Sequence, residues 1–178
     1  RQLNYHSAHD LGHAMQDYML VGCSSFATWG ENSVDSSLII GRNFDFYMGD
    51  KFATTNWYLF ISPSKAINLH PWVGRVDGVL SGMNEIGLTV TINAAKSDMP
   101  TASATPISIL TREILQYAST IDEAYAMLEA KNIFSESILI GSAQDGRAAI
   151  IEKSRRRRHF LQVAVIRLFV PTIINQIL

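Results

Sequence analysis

Residues 82–93 read Gly82-Met83-Asn84-Glu85-Ile86-Gly87-Leu88-Thr89-Val90-Thr91-Ile92-Asn93. Met83 to Gly87 has the composition of a turn, and Leu88 to Ile92 is strongly β-branched, which predicts a strand. Asn93 ends that strand and opens a small-residue loop. Beyond the loop the period changes. Ser108 to Tyr117 recurs with helical spacing, with Pro106 near its start. Thr120-Ile121-Asp122-Glu123 has capping-box form and predicts a second helix running through Ala130. Ser137–Gly141 and Ala148–Glu152 then predict strands around Gln144-Asp145-Gly146-Arg147, a hairpin turn with Asp-Gly in it.

On the N-terminal side, Leu11, Met15, Tyr18 and Met19 suggest a helix within residues 6–21. Val21 to Ala27 and Leu38 to Asn43 predict two strands of a hairpin, with a turn over Asn32 to Ser37. Trp57–Ile61 and Gly78–Ser81 also fit strands. The order is strands, two helices, strands, which predicts an α+β layered fold and not alternating βαβ units.

The 178 residues are about one domain of chain, with 47% hydrophobic and 17% charged residues. This excludes disorder and fibrous classes. One cysteine excludes an intrachain disulfide framework and a Cys-rich zinc module. The net charge of −1 conceals a break: all sixteen acidic residues lie before residue 155, and residues 155–178 hold five arginines. A mildly acidic body argues against non-specific nucleic-acid binding. The start at Arg1 instead of Met points to a processed product or a fragment.

Three segments carry candidate chemistry. Cys23 follows Gly22 and precedes two serines. It reads either as a buried small hydrophobe or as a reactive thiol, and the latter needs a nearby cation, an amine or a helix N-terminus. Arg42 and Asp45 lie three apart at a strand end. They form either a surface ion pair of little energy or, if the hairpin pairs as predicted, a charged group beside Cys23. Asn93 is either a turn residue bonding its own backbone or a donor to a developing oxyanion. Asn84 reads mainly as a turn residue.

Gly22-Cys23-Ser24-Ser25, Gly41-Arg42-Asn43-Phe44-Asp45 and Gly82 to Asn93, in that order and spacing, resemble the N-terminal-nucleophile (Ntn) hydrolases of the choloylglycine hydrolase type. More closely, they resemble the acyl-coenzyme A:6-aminopenicillanic acid acyltransferase family, over about residues 1–153. The resemblance implies an αββα sandwich and self-cleavage between Gly22 and Cys23. Residues 1–22 would be a propeptide-like segment and 23–154 the N-terminal part of the Ntn domain. By the same resemblance Cys23 is the nucleophile, Arg42 sits by the sulfur or the substrate, Asp45 orients the new amino group, and Asn93 helps form the oxyanion hole. The reaction implied is hydrolysis or acyl transfer at linear carbon–nitrogen amide bonds, through an acyl-thioester.

The family places a further catalytic Asn, and in the bile-salt enzymes an Arg, downstream of the strand pair ending near Glu152. Residues 155–178 show no such context around Asn175 or the arginines. This tail therefore reads in three ways: a membrane segment, a buried strand or helix pair, or non-native sequence after a frameshift near Ser154. Arg167 and Pro171 interrupt the apolar stretch Phe160–Leu178, which argues against a span. If the chain ends at Leu178, the sandwich is incomplete at its C-terminus.

His6, His9 and His13, with Asp10 beside them, offer a spacing that can bind zinc, but they read more readily as packing and hydrogen-bonding groups. No metal site is assigned. Hydrolysis by this chemistry needs no cofactor, and for transfer an acyl-coenzyme A donor is conceivable. The expected partner is a small-molecule N-acyl amide, with neither nucleic acid nor membrane; homo-oligomerisation stays open. The competing readings are a truncated, non-catalytic family member and, after that, a His-based metal-binding module.

Overall fold

The computed structural model describes residues 23–43, 80–94, 104–133, 135–154, 158–161 and 167–171. Two antiparallel sheets organise them. The smaller contains β1 (Ser24–Thr28), β2 (Ile39–Asn43) and β8 (Arg167–Pro171), in the order β2-β1-β8. The larger contains β3 (Ser81–Met83), β4 (Leu88–Ala94), β5 (Ser135–Ser142), β6 (Arg147–Ser154) and β7 (Arg158–Leu161), in sequence order. Two helices, α1 (Ile107–Tyr117) and α2 (Ile121–Ala130), connect β4 to β5.

The period-2 alternation of β4 decides what packs on each side of the larger sheet. Leu88, Val90 and Ile92 are buried in one cluster with Ile107, Leu110, Ile114 and Leu115 of α1, and with Ile121 and Leu128 of α2. The helical residues recur at three- and four-residue intervals, so each helix turns one apolar stripe to the sheet. Ile138 and Ile140 of β5, and Ala149 and Ile151 of β6, complete that face. Each Leu or Ile buried there contributes roughly 1.5–3 kcal/mol, and this cluster is the main core of the described residues.

The opposite face meets the smaller sheet. Ala27, Ala148 and Ile150 form a second cluster, packed by Trp29, Leu38 and Ile40. Gly141 lets the sheets approach: a Cβ there would collide with Ile40 and crowd Thr89 and Leu38. The described residues thus build an α layer on two β layers, in agreement with the α+β expectation and with three layers of the αββα sandwich.

The helix ends are held by groups from the sheet. Thr120 accepts the Glu123 amide proton at 3.2 Å, the N-cap read from the sequence. The Glu123 carboxylate reaches one residue further back than the capping box predicts, accepting from Ser119 N–H at 2.7 Å. Asp145, in the β5–β6 turn, accepts from Ile121 N–H at 2.8 Å. At the other end of α2, the buried Lys153 donates through Nζ to the carbonyls of Leu128, Glu129 and Lys131. A cation there meets the negative end of the helix dipole and the carbonyls of the last turn.

The strand expectations hold with shifted ends. β1 is described from Ser24, so Val21 and Gly22 lie outside the described residues, as do Trp57–Ile61. The Gly78–Ser81 strand expectation overlaps β3 only at Ser81. β5 and β6 are longer than read, and their turn spans residues 143–146, with Gly146 at φ +64°. Residues 158–161 pair with β6, and residues 167–171 pair with β1. Both sheets therefore take a strand from beyond the Ser154 boundary. Among the described residues no helix is long and apolar enough to cross a membrane.

Candidate active site

The β1–β2 hairpin pairs Ser24 with Asn43 and Ser25 with Arg42. Antiparallel partners share a face, so the alternation that turns Ser25 and Ala27 inward turns Arg42 and Ile40 inward as well. Cys23, just before β1, continues the pattern: Cys23, Ser25 and Ala27 are buried, while Phe26 is exposed. Among them Ser25 meets Thr91 and Asn93, residues of β4 that point away from the helices.

Arg42 is the connector. Its Nη2 lies 3.7 Å from the Cys23 sulfur and donates to the Ile92 carbonyl at 2.7 Å. Its Nη1 donates to the Leu80 carbonyl at 3.2 Å and to the Ser81 hydroxyl. These three oxygens fix the guanidinium in place. The planar donor fork suits this task, because each nitrogen can bond a backbone oxygen while a third direction faces the thiol.

Asn93 is 1% exposed. Its Oδ1 accepts from the Ser25 hydroxyl at 3.0 Å, and Ser25 in turn accepts from the Thr91 hydroxyl at 3.2 Å. The Asn93 Nδ2 is buried with no hydrogen-bond partner among the described residues. A buried NH₂ left this way costs about 1–3 kcal/mol, and orphaned donors of this kind are uncommon enough to call for an explanation.

Asn84 behaves differently and refines its reading as a turn residue. Its Oδ1 accepts from Leu88 N–H at 2.9 Å, which closes the β3–β4 turn. Its Nδ2 donates to the carbonyls of Leu115 at 3.2 Å and Ala118 at 2.9 Å, at the C-terminal end of α1. Asn84 is therefore a fastener between turn and helix. Gly87 completes the turn at φ +87°, where a Cβ would also stand 2.6 Å from that of Ala143.

Of the residues singled out in the sequence, Cys23, Arg42 and Asn93 thus come together between the sheets. Gly22 and Asp45 lie outside the described residues, as do His6, His9 and His13. Among the described residues no cluster of His, Cys, Asp or Glu could hold a metal ion. Sequence reasoning passed over Ser25 and Thr91. The available signal was the two-residue period, which sets Ser25 on the face of Cys23 and Thr91 on the face of Asn93.

The sequence profile of the acyl-coenzyme A:6-aminopenicillanic acid acyl-transferase family matches residues 30–167. The chain belongs to that family. The match takes in Arg42, Asn84 and Asn93 and continues past the arginine run; Cys23 lies ahead of it. Among solved structures, penicillin V acylase from Agrobacterium tumefaciens is similar with a TM-score of 0.53 and 18% sequence identity, over 78% of this chain and 50% of that one. The likeness identifies an Ntn-hydrolase fold. The chain spans about half the length of that acylase. No curated protein sequence matches the chain. Family and structural likeness agree on the Ntn-hydrolase fold.

Proposed function

We propose that this protein is a self-processing cysteine amidohydrolase or acyltransferase, acting on linear carbon–nitrogen amide bonds through an acyl-thioester on Cys23. The observation that carries the reading is the buried Cys23 sulfur 3.7 Å from the Arg42 guanidinium, at the head of a central strand. The sulfur is the nucleophile, and the Arg42 guanidinium beside it holds it at the head of the strand.

Processing comes first. The Cys23 thiol attacks the Gly22 carbonyl carbon, the Gly22–Cys23 C–N bond breaks, and the acyl group moves to sulfur as the amine leaves with a proton. Water then attacks the thioester, giving a carboxylate at Gly22 and a free thiol at Cys23. The liberated α-amine has an intrinsic pKa of about 7.7–8.0, so it serves as a base near neutral pH without a histidine. Asp45 orients that amine.

The same chemistry then acts on an external amide. The amine takes the thiol proton, sulfur attacks the substrate carbonyl, and Asn93 donates to the oxyanion. The leaving amine takes a proton as the C–N bond breaks. Water completes hydrolysis, whereas a second amine completes transfer. The description of the family and the name of the similar acylase both favour penicillin-type N-acyl compounds as substrates.

Mass spectrometry of the full-length protein is the test. Wild type yields a peptide ending at Gly22 and a chain starting at Cys23, while Cys23→Ala stays uncut and inactive. An uncut wild-type chain that hydrolyses penicillin V, or undiminished turnover by Cys23→Ala, overturns the reading.

A further inference from the structure

The polar string between the sheets contains more than the proposed reaction has used. Thr91 donates to Ser25 at 3.2 Å and Ser25 donates to Asn93 Oδ1 at 3.0 Å. The three side chains are 5%, 1% and 1% exposed, so water does not compete for these bonds. A serine hydroxyl has a single proton. Ser25 accepts the Thr91 proton and directs its own to Asn93.

That direction matters because a carboxamide has two ends of nearly the same shape and opposite polarity. One flip presents an NH₂ donor to a neighbouring group, and the other presents a carbonyl oxygen. Beside a developing oxyanion the first attracts and the second repels. Asn93 is held by its oxygen end, which leaves Nδ2 as the end available to another group, and Nδ2 has no partner among the described residues. Hydrogen bonds in series polarise one another, so Thr91 strengthens the hold that Ser25 has on the amide.

We propose that Ser25 is a positioning residue: its hydroxyl, fed by Thr91, locks the Asn93 carboxamide so that Nδ2 faces the oxyanion formed at Cys23. The proposal rests on the oxyanion role of Asn93 given above. It explains why two hydroxyls occupy inward positions where apolar residues would pack without polar cost. The string also joins both sheets, so the strand that carries the thiol sets the orientation of the donor on β4.

The test uses the full-length, processed enzyme with penicillin V as probe and rates expressed per processed chain. Ser25→Ala lowers kcat about tenfold, the loss of one hydrogen bond's influence, with KM within about twofold. Asn93→Ala lowers kcat by about 10²–10³, and adding Ser25→Ala to it has no further effect, because both act through one amide. In Ser25→Ala the Asn93 side-chain NH₂ resonances broaden or double as the amide samples both flips. Thr91→Val, which leaves Ser25 in place, shows the same changes at smaller amplitude and guards against a folding defect in Ser25→Ala.

Losses that multiply in the double variant, or an unaltered Asn93 NH₂ signal in Ser25→Ala and Thr91→Val, overturn the positioning role. Wild-type kcat in Asn93→Ala overturns the oxyanion role and the proposal with it. Retained Gly22–Cys23 cleavage in that variant would leave the Cys23 reading standing.

Discussion

Asn84 and Asn93 flank the apolar face of one strand, and both are almost fully buried, yet their side chains serve opposite ends. Asn84 uses its whole carboxamide: the oxygen closes the β3–β4 turn and the nitrogen caps two carbonyls of α1. Asn93 uses only its oxygen, and its nitrogen is buried without a partner among the described residues. A satisfied buried amide lowers the free energy of the fold, whereas an orphaned donor raises it. The difference separates a fastener from a group reserved for something the folded chain alone does not supply. The two faces of β4 repeat the contrast: Leu88, Val90 and Ile92 hold the helices, while Thr91 and Asn93 bond Ser25, two residues after Cys23.

Substitution at the two asparagines should pull activity and stability apart. Asn93→Leu is expected to remove about 2.7–4 kcal/mol of transition-state stabilisation, read as kcat on penicillin V, while urea denaturation shows little change in stability, because removing the orphaned Nδ2 offsets the acceptor lost to Ser25. A parallel fall in stability would break the contrast. Asn84→Leu is expected to cost about 2–3 kcal/mol of stability, since it strips buried carbonyls and an N–H of their partner. Its kcat per folded, processed chain should stay near wild type, and a selective loss of kcat would move Asn84 into the site.

Smaller effects test the helix fastenings outside the site. Asp145→Ala is expected to cost about 1 kcal/mol, the typical value of a helix N-terminal cap, in the same denaturation experiment. The smallest effect belongs to the exposed turn after β1. The Ser37 hydroxyl and backbone N–H hold the Asp35 carboxyl below its ordinary range. With the folded pKa depressed, the turn's contribution is present above the ordinary carboxylate value and fades as pH falls through the lowered one. Proton titration of Asp35 by NMR should show a lowered midpoint that moves part of the way back in Ser37→Ala, whose backbone N–H still donates; an unchanged midpoint would remove the hydroxyl contact.

Much of the fold was legible in local sequence because its signals are local. Ile107, Leu110, Ile114 and Leu115 declare a helix stripe, Thr120 declares an N-cap, and the runs around Asp145-Gly146 declare a hairpin. Even the approach of Arg42 to Cys23 could be anticipated, since a hairpin brings residues nineteen apart into register. The second half of the capping arrangement could not. Glu123 chose the Ser119 amide, and Asp145 arrived from a distant turn to bind Ile121 N–H.

The sequence by itself determined the order of elements, the inward face of each strand and the small set of residues able to do thiol chemistry, because periodicity and residue chemistry act over a few neighbours. Only the tertiary structure decided that Asn84 is spent on a helix end and that Asn93 keeps its donor in reserve. The reason is physical: the partners that make the difference, Leu115 and Ala118 for one and Ser25 for the other, are 31, 34 and 68 residues away along the chain. No local pattern reports which end of an amide such partners will take.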